Sequence, residues 1–558
     1  MIKDQIEKDI HKVISNFQFA ISNRQILVIR SANANFGDFS TNIAMIVSRE
    51  TKQSSMESAN KMAQSLKLLP HIKKLEVKEP GFINFFIKDE VWQNEVNEVL
   101  KKGDKYGSNT LGKGKKARVE FVSANPTGPL HFGNARGGPI GDSLASVLEF
   151  SGYQVLREYI HNDVGGQVEK LGDSLIKAAA GKKLEVGDYQ GSYVKELASK
   201  IILAHRNKTG ISSTDASVIG KEAVDILLKE IISDCLAMGV KFDDVYPESE
   251  FAKVGETKKA LDLLEKKGVL KQKDGATWFA PHVRFHSDDD SSSERAGQAP
   301  SDEFLKDRET VVVKSDGSYT YFANDIAYHN LKFKEGADLV VDIFGANHHG
   351  HVPRLQAVIA ALGYDVSKFH VILYQWVRFK RSNEVIKMSK RAGTFITAKE
   401  VIEEVGKDAV RFFILMHDPN SHIDFDLELA REKSSKNPVY YVQYAHARIA
   451  SILAKSKIQT PNSKVDYKLL TTNYELDLIK QISRLPELVE EIAQNFAVHR
   501  LTAYAREVAD SFHKFYENCP VLESGEDLKN ARLALSRATQ ITLKNTLLLL
   551  GVLAPDKM

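Results

Sequence analysis

The run Arg118-Val119-Glu120-Phe121-Val122 constrains this chain most. It is closely followed by a glycine-bearing turn, His131-Phe132-Gly133-Asn134, and then by Ile140, Leu144, Val147 and Leu148 at helical spacing. Its β-branched and aromatic residues are in the manner of a buried parallel strand, so the segment reads as strand, loop and helix, one unit of a parallel sheet. A helix start behind such a strand offers unpaired N–H groups and partial positive charge to a phosphate. Gly133, Gly137 and Gly138 let backbone approach a ligand closely, and Pro139 blurs where the helix begins. A second unit lies far along the chain. The apolar run His370-Val371-Ile372-Leu373-Tyr374 precedes Lys387-Met388-Ser389-Lys390-Arg391, and Thr397 with Glu400 forms a capping box opening the next helix, so the lysines fall on a loop. Taken singly, the four-residue match arises by chance and a lysine run is usually solvated. Together, in this order and context, they suit gripping a nucleotide triphosphate while its α-phosphate is attacked.

Several longer stretches carry more information: EFVSANPTGPLH at 120–131, DGSYTYFANDIAYH at 316–329, GANHHG at 345–350, NPVYYVQYAHAR at 437–448 and LGVLAPDKM at 550–558. Near the start, FGDFSTN at 36–42 and PGFINF at 80–85 add to them. The two short signatures resemble those of class I aminoacyl-tRNA synthetases, and the longer stretches narrow the resemblance to arginyl-tRNA synthetase over almost the whole chain. The resemblance implies an arginine–tRNA ligase that forms arginyl-adenylate from arginine and ATP with Mg²⁺. Arginine then passes to the terminal ribose of tRNA-Arg, and activation requires bound tRNA.

The same resemblance implies roles for residues. His131 and Asn134, with Lys387 and Lys390, act on the phosphates. Gly133, Gly345, Met388 and Ser389 complete the ATP site. Ser123 and Asn125 hold the α-amino and carboxylate groups of arginine, Tyr321 and Asp325 bind its guanidinium, Glu120 completes the charge match, and Asn347 lies nearby. For tRNA, it implies Phe82 and Asn84 in the N-terminal domain and Tyr440, Tyr444, Arg448 and Arg506 in the C-terminal one. Two positions depart from the commoner family pattern. Asn134 replaces a histidine and cannot carry positive charge, and Asn347 stands where an aspartate is common.

The chemistry supports this reading independently. In-line attack of a carboxylate on the α-phosphorus needs no protein nucleophile, only positioning and charge stabilisation. A guanidinium is planar and permanently charged, and pairs best with carboxylates placed edge-on. Without the family, Glu120 and Asp325 would read as ordinary carboxylates capping backbone N–H groups. Two rival readings are a small-molecule adenylylating enzyme, which would need no RNA reader, and a non-catalytic RNA-binding paralogue, against which the intact Lys387 and Lys390 argue.

The 558 residues allow roughly three or four domains of ~150 residues. A net charge of +3 is too small to signal a nucleic-acid partner, so RNA contacts must come from local patches. Cys235 and Cys519 stand alone, which argues against a zinc knuckle and a disulfide scaffold and fits a cytoplasmic protein. The histidines at 348, 349 and 351 and the aspartates at 288–290 likewise make no metal site of recognisable spacing, so no metal and no zinc is expected. The charged N-terminus lacks a signal sequence and the apolar stretch around Leu547 to Leu553 is too short to span a membrane. A cytoplasmic monomer is expected.

The expected fold is multidomain. An α+β tRNA-contacting domain covers 1–110, and an α/β Rossmann-type catalytic core covers 111–430. An all-α anticodon-binding helix bundle covers 431–558. Within the core, 166–265 reads as a helical insertion and the apolar-poor tract 286–303 as a mobile polar loop. The Gly/Lys-rich stretch from Lys101 to Arg118 reads as a solvated linker that can touch RNA backbone. In the bundle, Val442, Ala445, Ile449, Ile452 and Leu453 form one apolar stripe, and Leu501, Ala505, Val508, Phe512 and Phe515 another. Between them, Tyr440, Tyr444, His446, Arg448, His499, Arg500, Arg506, His513 and Tyr516 suit an RNA-reading face, or else include core aromatics with wet hydroxyls.

Overall fold

The computed structural model describes residues 1–15, 27–31, 33–209, 215–281, 309–381, 384–386, 396–456 and 465–558. Lys387, Met388, Ser389, Lys390 and the tract 286–303 lie outside the described residues.

The N-terminal region carries four strands, β1 (Val28–Arg30), β2 (Phe39–Thr41), β3 (Ile72–Lys78) and β4 (Phe82–Ile87), in the order β1-β2-β4-β3 with antiparallel pairing. Alternation in these strands turns Phe39, Ile83, Phe85 and Ile87 inward against the helices Ile43–Thr51, Ser55–Leu66 and Asp89–Lys102.

The middle region is built on a five-stranded parallel sheet. Its strands are β5 (Lys116–Phe121), β6 (Gln154–His161), β7 (Asp244–Pro247), β11 (Leu339–Gly345) and β12 (Phe369–Tyr374), ordered β12-β11-β5-β6-β7. Three short antiparallel strands, β8 (Leu270–Lys273), β9 (Ala276–Phe279) and β10 (Thr310–Val313), form a side sheet between β7 and β11 in the chain. A last sheet joins β13 (Val377–Arg381), β14 (Glu384–Val385) and β15 (Ile423–Asp426). From β5 the chain proceeds one way to β6 and β7, then returns to add β11 and β12 on the other side. The crevice between the carboxyl ends of β5 and β11 is therefore the switch point where open α/β sheets bind ligands.

The helices Gly166–Ala179, Ser192–Thr209 and Ala216–Ala237 bury Val168, Leu171, Leu175, Val194, Leu197, Ile219 and Val224 in a core of their own, as an insertion should. Strand β7 falls inside the range 166–265 and pairs with β6, interrupting a helical stretch that resumes with Glu248–Lys253 and Glu256–Lys266. Four residues are too few to show strand periodicity, and only pairing reveals them.

The C-terminal helices Pro438–Ser456, Asn473–Ile482, Leu485–Asn495, Arg500–Asn518 and Glu526–Leu549 form the bundle. Both expected stripes point inward, with Leu453 only partly buried. The bundle shares one continuous core with the N-terminal sheet and the front of the catalytic sheet. Arg30 fastens the first of these contacts: its Nε donates to Glu487 at 2.7 Å while its guanidinium lies over Trp92 at 5.3 Å. The Gly/Lys-rich stretch is not the solvated connection expected. Tyr106 is buried and donates to the Ile482 carbonyl, and Asn545 donates to the carbonyls of Gly103 and Tyr106. One aromatic and a few backbone carbonyls dock it on the bundle despite its charge.

Candidate active site

The first signature occupies the turn after β5. His131 caps the short helix Phe132–Ala135, its Nδ1 accepting from Gly133 N at 2.8 Å. Because Nδ1 accepts, the neutral ring carries its proton on Nε2, the atom suited to donate to a phosphate oxygen. A Cβ at Gly133 would lie 2.8 Å from His131 Nδ1, so glycine is required for this cap. Gly137 and Gly138 serve packing instead, since added Cβ atoms would press on Tyr374 and Val240 respectively. The following helix spans Gly137–Phe150 and takes Pro139 in its first turn, where no N–H is needed.

The second signature lies outside the described residues, but its flank does not. Phe132 N donates to Ile396 O at 3.1 Å and Ala398 N donates to Leu130 O at 2.8 Å, so the chain emerging from that segment is bridged to the first signature. Thr397 and Glu400 form the full capping box.

Behind the turn lies a chain of buried charges. Glu120 on β5 pairs in register with Asp342 on β11, and Lys332 donates to both at 2.8 Å. His329 Nε2 meets the other oxygen of Asp342 at 2.8 Å, and its Nδ1 meets the carbonyl of Asp325 at 2.7 Å. Burial pushes Glu120 up, against the pull of Lys332; Lys332 and His329 in turn hold Asp342 below its usual range despite burial. Ser123 donates to Glu120 at 3.0 Å and accepts from Ile160 N at 3.2 Å. Val122 and Ser123 hold φ of 70° and 37°, a strained pair at the strand end where functional geometry is commonly stored.

A second group of carboxylates stands nearer the crevice. Tyr321 and Asp325 lie one turn apart on the helix Tyr321–Lys334, which Thr320 caps. Tyr321 is half exposed and its hydroxyl accepts from Asn162 at 2.7 Å. Asn125 donates to Gln167 at 3.2 Å and accepts from Asn162 N at 3.3 Å, which ties it to the same edge. Asp325 Oδ2 meets His351 Nε2 at 3.0 Å. Glu248 begins the helix after β7, and its buried Oε2 has no hydrogen-bond partner. Burial, followed by the charge of Asp325, pushes Glu248 up to about 8. Gly345 ends β11 at the switch point, and Asn347 sits exposed in the turn Ala346–His348 just beyond it.

Sequence reasoning missed Glu248, Asn162, Lys332, Asp342, His329 and His351. Only Glu248 has a local signal, the Pro247 that precedes a helix start. Among the described residues no three histidine, cysteine or acidic side chains are grouped to hold a metal ion.

On the bundle, Tyr440 and Tyr444 stack at 6.3 Å with planes 8° apart, and Tyr444 continues to His513 at 6.2 Å. Arg448 lies over Tyr444 at 5.3 Å and Tyr516 at 4.9 Å, and Tyr444 is 38% exposed. These are surface aromatics, not core ones, and Arg506 is exposed on the neighbouring helix. His446 leaves this face, being buried against the carbonyl of Pro555 at 2.9 Å. In the N-terminal sheet Phe82 is half-buried, but Asn84 is 3% exposed and turned into the interior. Among the described residues no helix is long and apolar enough to cross a membrane.

Three family models match in succession: the arginyl-tRNA synthetase N-terminal domain over 1–87, the class I (R) tRNA synthetase catalytic domain over 95–450, and the DALR anticodon-binding domain over 442–558. An arginine–tRNA ligase of Geobacter sp. strain M21 is 41% identical over 548 residues, covering 96% of this chain and 95% of its own. That of Carboxydothermus hydrogenoformans is 40% identical, covering 94% and 92%. The Thermus thermophilus arginyl-tRNA synthetase structure superposes over 100% of both chains with a TM-score of 0.79 at 22% identity, a likeness of fold. With matching domains in order, and relatives aligned over more than nine-tenths of both chains, the chain belongs to the class I arginyl-tRNA synthetase family, the arginine–tRNA ligases.

Proposed function

We propose that ATP lies across the β5–β11 switch point, with its phosphates on the His131–Asn134 turn and its adenosine beside Gly345. The observation that carries this is the backbone bridge from Leu130 and Phe132 to Ile396 and Ala398, which holds the flank of the second signature against the first. Arginine enters beside the nucleotide. Its guanidinium meets Asp325 and Glu248 with Tyr321 at the rim, and its α-amino and carboxylate groups lie toward Ser123 and Asn125. Glu120 lies beneath, its charge met by Lys332, and acts by holding Ser123 in position. Asn347, exposed beyond β11, borders the amino acid.

In this arrangement the arginine carboxylate attacks the α-phosphorus and pyrophosphate leaves. His131 and Asn134 donate to phosphate oxygens, Asn134 by its neutral amide. Lys387 and Lys390 close over the negative charge that develops on the leaving group, with Met388 and Ser389 completing the loop. The terminal ribose hydroxyl of tRNA then attacks the acyl carbonyl of arginyl-adenylate and AMP departs. Mg²⁺ would enter as the partner of the ATP phosphates, which supply oxygen ligands to it.

The anticodon loop stacks on Tyr440, Tyr444 and Tyr516, with Arg448 and Arg506 toward its phosphates. Phe82 serves the body of the tRNA, and buried Asn84 acts by holding that strand in place. We place the protein in the cytoplasm as a monomer. The roles are tested by pyrophosphate exchange with arginine and tRNA present: Lys390→Ala lowers the rate ~10²- to 10³-fold. An unchanged rate would remove the loop from catalysis.

A further inference from the structure

Among the described residues the buried arginines are matched by carboxylates in direct contact, with one exception. Arg118 pairs with Glu158 and Glu335, Arg411 with Asp142, and Arg532 with Glu475. Arg136 is fully buried, yet its guanidinium meets only main-chain carbonyls. Nη1 donates to Gln375 O at 2.6 Å and Ser421 O at 2.8 Å, and Nη2 donates to Asp418 O at 3.0 Å. Nε has no partner. Burial pushes the group down to about 10, so it remains charged at neutral pH. A buried cation with no carboxylate in direct contact, offset only from a distance by the charge of Asp418, is costly, and a fold that keeps one needs a compensating reason.

Its position supplies that reason. Arg136 joins the short helix of the first signature to the helix Gly137–Phe150. The carbonyls it holds belong to Gln375, between β12 and β13, and to the loop before β15. Gln375 N donates to Pro419 O at 2.9 Å and Ile423 N donates to Trp376 O at 3.1 Å, which closes the two loops on each other. Tyr374, next to Gln375, donates from its hydroxyl to the carbonyl of Asn134 at 3.3 Å. Strand β13 then leads through β14 to Lys387. A single guanidinium thus pins the turn of the first signature to the base of the hairpin that leads to the second.

We propose that Arg136 is a positioning residue for ATP, locking the His131–Asn134 turn to the base of the β13–β14 hairpin and supplying a fixed positive charge that the bound triphosphate completes. This rests on the reading that the phosphates lie on that turn. Bound ATP then adds to the partial offset that Asp418 provides, so ATP stabilises the folded protein more when Arg136 is present. Lysine keeps the charge but lacks the fork that spans three carbonyls, and glutamine removes the charge.

The test measures ATP and arginine KM by pyrophosphate exchange, tRNA affinity by filter binding, and the rise in Tm on adding ATP. In Arg136→Gln the KM for ATP rises by at least about tenfold, the KM for arginine and the tRNA Kd stay within about twofold, and the ATP-induced rise in Tm shrinks. Arg136→Lys shows the same pattern at smaller size and serves if the glutamine variant does not fold. Parallel losses for ATP and arginine, or a lower Tm with unchanged ATP response, would make Arg136 merely structural and overturn the inference. His131→Ala, run alongside, separates the two claims. If it raises the KM for ATP while neither Arg136 variant does, only this inference falls; if it too leaves ATP unaffected, the placement of the phosphates falls as well.

Discussion

Two groups of carboxylates lie under the same crevice and are treated in opposite ways. Glu120 and Asp342 are sealed in, with Lys332 between them and His329 at the end, so their charge is met within the protein. Glu248 and Asp325 stand closer to the opening, with His351 touching one oxygen of Asp325 and nothing bonding the buried oxygen of Glu248. The first group behaves as a frame: it ties β5, β11 and the helix Tyr321–Lys334 together and holds Ser123 in position. The second is left without a full set of partners, and the proposed role of the arginine guanidinium is to supply them. An arginine site therefore shows itself less by the number of acids than by which of them the fold leaves unmatched.

Removing the cation of the first group should have the largest effect. Lys332→Met leaves Glu120 and Asp342 buried and facing one another, and is expected to cost about 3–5 kcal/mol of stability in denaturant unfolding. A loss confined to arginine binding, with stability intact, would erase the distinction between frame and site.

In the second group, Asp325→Asn keeps the shape and removes the charge. Arginine binding should weaken by roughly 2 to 5 kcal/mol while ATP binding survives, because the guanidinium gives up hydration it cannot recover. Separate titrations of the two ligands decide it: equal losses would mark Asp325 as structural, and normal arginine affinity would take it out of the pocket.

How much of this was legible in the sequence follows the same division. The strand before the first turn, the Thr397–Glu400 capping box and the two apolar stripes of the bundle are local patterns, and all are present as read. Asp325 could be approached through a motif, one helical turn from Tyr321. For Glu248 the signal of Pro247 marks only a helix start, because the residue enters the site through the pairing of β7 with β6, four residues long and far from either signature. Lys332 reads as an ordinary surface lysine of an amphipathic helix until β5 and β11 close over it. Asn84 and His446 failed as surface residues for the complementary reason: a polar side chain in a patterned stretch does not declare which face it takes.

The surface stack on the bundle should respond more modestly and leave both carboxylate groups untouched. Tyr444→Ala should weaken tRNA binding by about 1–3 kcal/mol, the usual worth of a base stacked on an aromatic ring, with arginine-binding affinity unchanged. Normal tRNA affinity would move the anticodon contact elsewhere on the bundle.

The smallest effect is the most direct probe of the unmatched pair. Burial, followed by the charge of Asp325, pushes Glu248 up to about 8, which favours its protonated form at neutral pH, and a guanidinium beside it favours the ionised form. Arginine binding below that pH must then expel a proton, and affinity must rise as pH climbs from about 6 toward 8 before levelling off. Calorimetric titration of arginine at pH 7, in buffers of differing ionisation enthalpy, reads that proton directly. Release of close to one proton per arginine bound, abolished by Glu248→Gln, is the predicted result; binding with no proton release, or release unaltered by that substitution, would contradict it.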